Sequence, residues 1–153
     1  MPKITTHLTR HHGKVLKVRP GGRMLGLDTD DSLAIVRMVR SGFRFSRLTR
    51  FQKATSLSWE KVANCVAIPQ RTLTRRQSEG RLQPDESDRL WRVSRIFDLA
   101  VDLFEGDTSA ARQWLQTPQA GLGGEAPMDI ANTEVGAREV ENLIGRLEYG
   151  VFA

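Results

Sequence analysis

Apolar residues recur every three or four positions through most of this chain, and no stretch alternates apolar with polar residues long enough to predict a confident strand. Asp30-Asp31-Ser32 can cap a helix starting near Leu33, whose apolar positions are Leu33, Val36, Val39 and Phe43, and Ser41-Gly42 interrupts it. A second helix is expected from Ser46 to Thr55, carrying Leu48 and Phe51. Ser58 then caps a third, Trp59 to Val66. Arg71 to Ser78 makes a fourth, stopped by Gly80. Pro84, followed by Asp85, Glu86 and Asp88, is a strong helix start, because proline fits a first turn and acids there favour the helix dipole. Leu90, Val93, Phe97, Val101 and Phe104 then mark one long amphipathic helix ending at Gly106. Asp107 or Thr108 caps a short helix through Trp114-Leu115, residues 117–127 read as a Gly/Pro loop, and Thr133 caps a last helix with Val135, Val140, Leu143, Ile144 and Leu147 on one face. The pattern predicts an all-α protein without internal repeats.

Composition narrows this little. One cysteine excludes a disulfide framework and a multi-thiolate metal site, and Cys65 falls among Val62 and Val66 as a small core residue. No apolar run reaches the roughly 20 residues of a membrane span, and no signal-like segment follows the start, so a cytoplasmic chain is expected. Trp114 is expected in the core; Trp91 lies beside Leu90, so one of these two faces outward, into solvent or an oligomer interface.

Charge changes the picture more. Residues 1–83 hold 17 Lys+Arg and 5 Asp+Glu, a balance of +12, whereas residues 84–153 hold 6 and 13, a balance of −7. A basic half suits phosphate, whose neutralisation releases counterions; the acidic half would be repelled by nucleic acid and needs another partner. The chain divides accordingly into a basic arm with room to flex (residues 1–25), a helical unit (26–105) and a C-terminal unit (106–153).

Residues 57–76, LSWEKVANCVAIPQRTLTRR, carry the first candidate site. Two short helices are separated by Ala67-Ile68-Pro69, the length of break that sets a pair at a steep angle and lets the second enter a major groove about 12 Å wide. Ala63 allows close approach, and Val62, Val66, Ile68 and Leu73 would hold the pair together. Gln70 and Arg71 stand at the start of the second helix, where Gln can bond adenine and Arg guanine; Thr72, Thr74, Arg75 and Arg76 suit phosphates. This stretch resembles the Xre/Cro-like helix-turn-helix family, whose second helix commonly reads like RTLTRR. It departs at the turn, where the usual glycine is Ala67 and Pro69 replaces a Ser or Thr cap.

The second half resembles, nearly end to end, the toxin-binding C-terminal domain of the Xre/MbcA/ParS antitoxin family. The resemblance rests on Ala111-Arg112-Gln113-Trp114-Leu115, Thr117-Pro118, Leu122-Gly123-Gly124, Pro127-Met128-Asp129, Thr133-Glu134-Val135-Gly136-Ala137 and the ending Arg146-Leu147-Glu148-Tyr149-Gly150-Val151-Phe152-Ala153. With the helix-turn-helix it spans roughly residues 40–153. It implies a type II antitoxin that pairs with a RES-domain toxin that destroys NAD, holds it inactive and represses the shared promoter. It also implies that the C-terminal end reaches into the toxin's cleft, with Arg146, Glu148, Tyr149, Gly150, Val151, Phe152 and Ala153 as the contact residues. Tyr149, Val151 and Phe152 would form an apolar plug, Gly150 a bend, and the Ala153 carboxylate an anion.

No catalytic residue, cofactor or metal site is expected. Asp98 and Asp102 share a helix face at i, i+4, but that spacing is common on solvated faces and no nucleophile accompanies it. His7 and His11 have a metal-compatible spacing without a carboxylate or thiolate nearby in sequence. The partners expected are the toxin, operator DNA and a second copy, since helix-turn-helix proteins usually read two half-sites. The residues leave open a stand-alone helix-turn-helix regulator whose C-terminal unit dimerises or senses a ligand.

Overall fold

Short oxygen-bearing side chains close the starts of four of the helices. Asp31, Ser58, Asp107 and Thr133 accept hydrogen bonds from the backbone N–H groups of Leu33, Lys61, Ala110 and Gly136, each relieving a donor that the first helical turn leaves unpaired. This computed structural model describes the backbone of residues 8–11 and 14–17, and residues 21–150 in full. Within it run α1 (Ser32–Ser41), α2 (Phe45–Thr55), α3 (Trp59–Val66), α4 (Gln70–Glu79), α5 (Pro84–Leu103), α6 (Thr108–Leu115), α7 (Pro127–Ile130) and α8 (Glu134–Glu148). At the start of α5 the Gln83 N–H donates to Glu86 Oε1 at 2.7 Å, completing a capping box behind Pro84.

The periodic segments fold as their spacing predicts, and the protein is helical from α1 to α8. Two departures concern the arm. Leu8–His11 and Lys14–Lys17 pair as antiparallel strands β1 and β2, with Leu8 opposite Lys17 and His11 opposite Lys14. The available signal was Gly13 between Leu8-Thr9 and Val15-Leu16, a short hairpin pattern hidden by the surrounding lysines and histidines. The arm also ends earlier than residue 25. Arg23–Leu25 forms a 3₁₀ turn packed on α2 and α5, with Leu25 and Leu27 buried.

Helix α5 is the axis of the molecule. Leu90, Val93, Ile96, Phe97 and Ala100 are buried around its circumference, and it packs against α1, α2, α3, α6 and α8. Burial of each large apolar side chain contributes about 1.5–3 kcal/mol. Phe51 of α2 meets Phe97 edge-on with ring centroids 5.4 Å apart. A single core therefore runs from Leu25 through Val62 and Phe97 to Ala111, Met128 and Ile144, across the division expected at residue 105.

Polar bonds reinforce that junction. Arg112 of α6 donates to the Thr55 carbonyl at the end of α2 (3.0 Å), Lys61 to Gln116 Oε1 (2.7 Å), Arg92 to the Asn132 carbonyl (2.9 Å), and Arg95 to Glu141 (2.9 Å). Gly136, in the first turn of α8, fits only because it lacks a side chain: a Cβ there would lie 1.8 Å from the Ile130 carbonyl oxygen. Trp114 packs against Phe104, and Cys65 is buried with its thiol on the Val62 carbonyl. Burial pushes the Cys65 thiol up to about 12. Three residues expected on inward faces point outward instead, namely Leu33 and Val36 on α1 and Val135 on α8.

Candidate functional site

The turn between α3 and α4 is closed by the backbone. Ala67 adopts a left-handed conformation (φ 53°, ψ 46°), its N–H reaching the Ala63 and Asn64 carbonyls while the Ile68 N–H reaches the Ala63 carbonyl at 3.0 Å. This is the helix-ending geometry usually given to glycine. An alanine pays roughly 1 kcal/mol to adopt it. The conformation is over-determined by its surroundings. Val62, Val66, Ile68 and Leu73 are buried on the inner side of the pair, and Arg89 of α5 donates to the carbonyls of Val66 (2.8 Å) and Ala67 (3.3 Å). Arg89 thus supplies donors to the orphan carbonyls of α3, a role no local sequence pattern announces.

Helix α4 presents one polar face. Gln70, Arg71, Thr74 and Arg75 are exposed together, with Thr72 half-buried. Arg75 lies 3.9 Å from Glu79, a loose exposed pair that leaves its guanidinium able to take another anion. Arg76 does not join them. Its side chain turns inward, where Nε donates to the buried Glu86 carboxylate at 2.7 Å and Nη1 to Glu79 at 3.2 Å. The Glu86 hydrogen bond holds the Arg76 pKa above its ordinary value. The expectation that Arg76 meets phosphate is corrected accordingly: at i+5 from Arg71 it faces α5, and the buried carboxylate there requires a cation. One residue joins the face that sequence reading passed over. Gln77 lines, with Gln70, Thr74, Leu73, Phe45 and Trp59, a groove of about 190 Å³ along the flank of α4, and Phe45 and Trp59 stack in it at 6.1 Å.

The C-terminal half presents a second face. Gln119 ties the 117–126 loop into a closed unit: its backbone N–H bonds the Glu125 carbonyl, its own carbonyl accepts from Leu122 and Gly124, and its side chain donates to the Thr117 carbonyl. Gly123 and Gly124, both at positive φ, stand at its open rim. Helix α8 runs beneath this loop, with Leu143 and Arg146 next to Gly121. Arg146 is half-buried, and its Nε has no acceptor among the described residues. Glu148, Tyr149 and Gly150 are exposed at the helix end; Tyr149 is 52% exposed, and Gly150 turns the chain at φ 69°. Val151, Phe152 and Ala153 lie outside the described residues. The structure therefore places the two candidate sites on different elements, α4 and the end of α8, joined through α5.

Asp98 and Asp102 do not form an acid/base pair facing solvent. Asp98 is buried, Oδ2 accepting from the Arg23 N–H at 3.0 Å, while Arg23 Nη2 bonds Asp102 at 2.8 Å. Burial pushes the Asp98 carboxyl up to about 6, against the lowering effect of Arg23. Among the described residues no group of three or more His, Cys, Asp or Glu could hold a metal, and the side chains of His7, His11 and His12 lie outside them. No helix among the described residues is long and apolar enough to cross a membrane.

The chain is similar in sequence to known proteins. The Antitoxin Xre-like helix-turn-helix domain matches residues 34–95, and the Antitoxin Xre/MbcA/ParS C-terminal toxin-binding domain matches residues 99–150. The chain is 39% identical over 144 residues to Antitoxin Xre of Yersinia enterocolitica, covering 94% of this chain and 97% of that one. It is 34% identical over 133 residues to Antitoxin Xre of Photorhabdus laumondii, covering 86% and 90%. It is also 36% identical over 84 residues to Antitoxin Xre of Pseudomonas putida, covering 54% and 52%. With α3–α4 forming the helix-turn-helix and α6–α8 the toxin-binding half, the chain belongs to the Xre antitoxin family.

Proposed function

We propose that this antitoxin binds a RES-domain toxin that degrades NAD, occludes its active site with the segment after α8, and represses its own promoter through α4. The observation that supports this most directly is the separation of the two faces. The exposed Gln70, Arg71, Thr74 and Arg75 are set for a polyanion, and the exposed end of α8 leads into Tyr149-Gly150-Val151-Phe152-Ala153 on the acidic half. On this reading Arg71 and Gln70 meet base edges, while Thr72, Thr74 and Arg75 meet phosphates. Arg146, with Nε enclosed and without an acceptor, meets a carboxylate or carbonyl of the toxin, and the residues from Glu148 to Ala153 fill its cleft. The chemistry belongs to the partner. The antitoxin needs no cofactor or catalytic group, and it acts in the cytoplasm as a dimer that reads two half-sites.

The test is co-expression with the toxin whose reading frame adjoins this gene. Removing residues 149–153 is expected to abolish protection of NAD levels and growth while leaving the helical content unchanged. Protection by the truncated chain would overturn the plug. A stand-alone regulator is the second reading, supported by the helix-turn-helix alone. It requires that the chain purify without a companion and bind its promoter fully by itself.

A further inference from the structure

Viewed down its axis, α4 has a front and two flanks. With about 3.6 residues per turn, Arg71, Thr74 and Ser78 fall at the front, opposite the buried Leu73 and Arg76. Arg75 and Glu79 fall on one flank, Gln70 and Gln77 on the other. A helix that enters a major groove about 12 Å wide fills it and runs between two phosphate strands, so each flank faces one of them. The Arg75 flank carries its own cation. The flank of Gln70 and Gln77 carries none, so the charge that the second strand requires has to come from an adjoining element.

The groove along that flank brings such elements to it. Phe45, the first residue of α2, and Trp59, the first of α3, line it together with Gln70, Thr74 and Gln77. Trp59 is 40% exposed, and its indole N–H meets no acceptor among the described residues. Arg44 precedes Phe45 and is tied to the end of α4. The Phe45 N–H donates to the Gly80 carbonyl (3.0 Å), the Leu82 N–H to the Phe43 carbonyl (2.9 Å), and Arg44 pairs with Arg81 in an isolated antiparallel bridge. Arg44 therefore stands beside the last turn of α4. Its side chain is exposed and makes no hydrogen bond or ion pair among the described residues. No acid along α1 or α2 neutralises it: Arg37, Arg40, Arg44, Arg47, Arg50 and Lys53 follow one another between Ser32 and Trp59 without an Asp or Glu. The one acid of α4, Glu79, is engaged by Arg75 and Arg76.

We propose that Arg44 and Trp59 hold the second phosphate strand of the operator, the guanidinium of Arg44 pairing with one phosphate and the indole N–H of Trp59 donating to a neighbouring phosphate oxygen. This rests on the reading that α4 enters a major groove, and it extends the DNA surface onto the starts of α2 and α3. Contacts of this kind carry no base information; they fix the angle at which α4 presents Gln70 and Arg71 to the base edges. The stack with Phe45 already holds the Trp59 ring, so little side-chain freedom is lost on binding.

Titration of the full chain with duplex DNA from its own promoter, at several salt concentrations, tests this. Arg44→Gln is expected to weaken every sequence alike, ~10-fold, and to lower the salt slope by about one per chain; combined with Arg75→Ala, the two losses should add. Trp59→Phe keeps a ring on Phe45 and removes the N–H, so binding should fall ~3–10-fold with the salt slope and the circular dichroism unchanged. Phosphate ethylation should interfere on both strands for the wild-type chain, and Arg44→Gln should abolish interference at one position on one strand while that on the other persists. If Arg44→Gln or Trp59→Phe binds like the wild type while Arg75→Ala is weakened, the second strand is not held as proposed, and the reading of α4 survives. If the wild-type chain binds no promoter DNA, or all three variants bind as it does, the reading of α4 fails and this proposal fails with it.

Discussion

Arg76 and Glu86 are bonded at 2.7 Å inside the fold, linking α4 to the first turn of α5. The same Glu86 oxygen accepts from the Gln83 backbone N–H, so one carboxylate holds the α5 capping box and the orientation of α4 together. Of the three arginines of α4, Arg76 is thus held inward while Arg71 and Arg75 stand exposed.

Arg71→Ala is expected to relax base preference at one operator position, costing about 1–3 kcal/mol, and Arg75→Ala to weaken all sequences alike and reduce the salt slope by about one. Arg76→Ala should instead lower the melting temperature, because it leaves the Glu86 carboxylate buried without its cation, and the salt slope of the folded protein should be unchanged. Operator titrations at several salt concentrations, run beside thermal melts, separate the three. A reduced salt slope with normal stability for Arg76→Ala would falsify this assignment.

Ala67 turns the corner between the two helices at φ 53°, where glycine has no steric penalty. Ala67→Gly should stabilise the chain by up to about 1 kcal/mol, the relief of left-handed strain being partly offset by the greater freedom of glycine in the unfolded chain. A rise of ~2–4 °C in melting temperature is expected, without change in operator affinity. A fall would mean that the alanine methyl makes a contact worth more than the strain.

Asp98 lies in the core with Oδ1 lacking a hydrogen bond among the described residues, and its carboxyl is raised from 3.8 to about 6, chiefly by burial. The folded state therefore binds this proton more tightly than the unfolded chain. The stability associated with it is fully present below pH 4 and is lost as pH rises through 6. The shift corresponds to a loss on the order of 3 kcal/mol across that window. Asp98→Asn removes the titration, so the stability difference between variant and wild type should change between pH 4 and 6 and be flat above 7. Chemical denaturation at a series of pH values measures it, and parallel curves across that window would refute the buried-carboxyl account.

The local order of this protein is written in its sequence. The caps at Asp31, Ser58, Asp107 and Thr133, the proline start of α5 and the stop at Gly80 depend on residues a few positions apart, and α1 to α6 and α8 lie where the apolar period placed them; α5 ends at Leu103, short of the expected Gly106, and the short α7 was not expected. The motifs of both halves are likewise contiguous, so the family resemblance was legible without coordinates. What required the tertiary structure was the partner of each side chain at long separation. Nothing near Arg76 in sequence says that it turns to Glu86, nothing near Val66 says that Arg89 reaches its carbonyl, and Asp98 reads as a surface acid until residues 23–25 are found lying across it. Helical periodicity gives the face a residue shares, but only packing decides whether that face meets the core, a buried carboxylate or solvent. That is why Leu33 and Val36 read as core and stand outside.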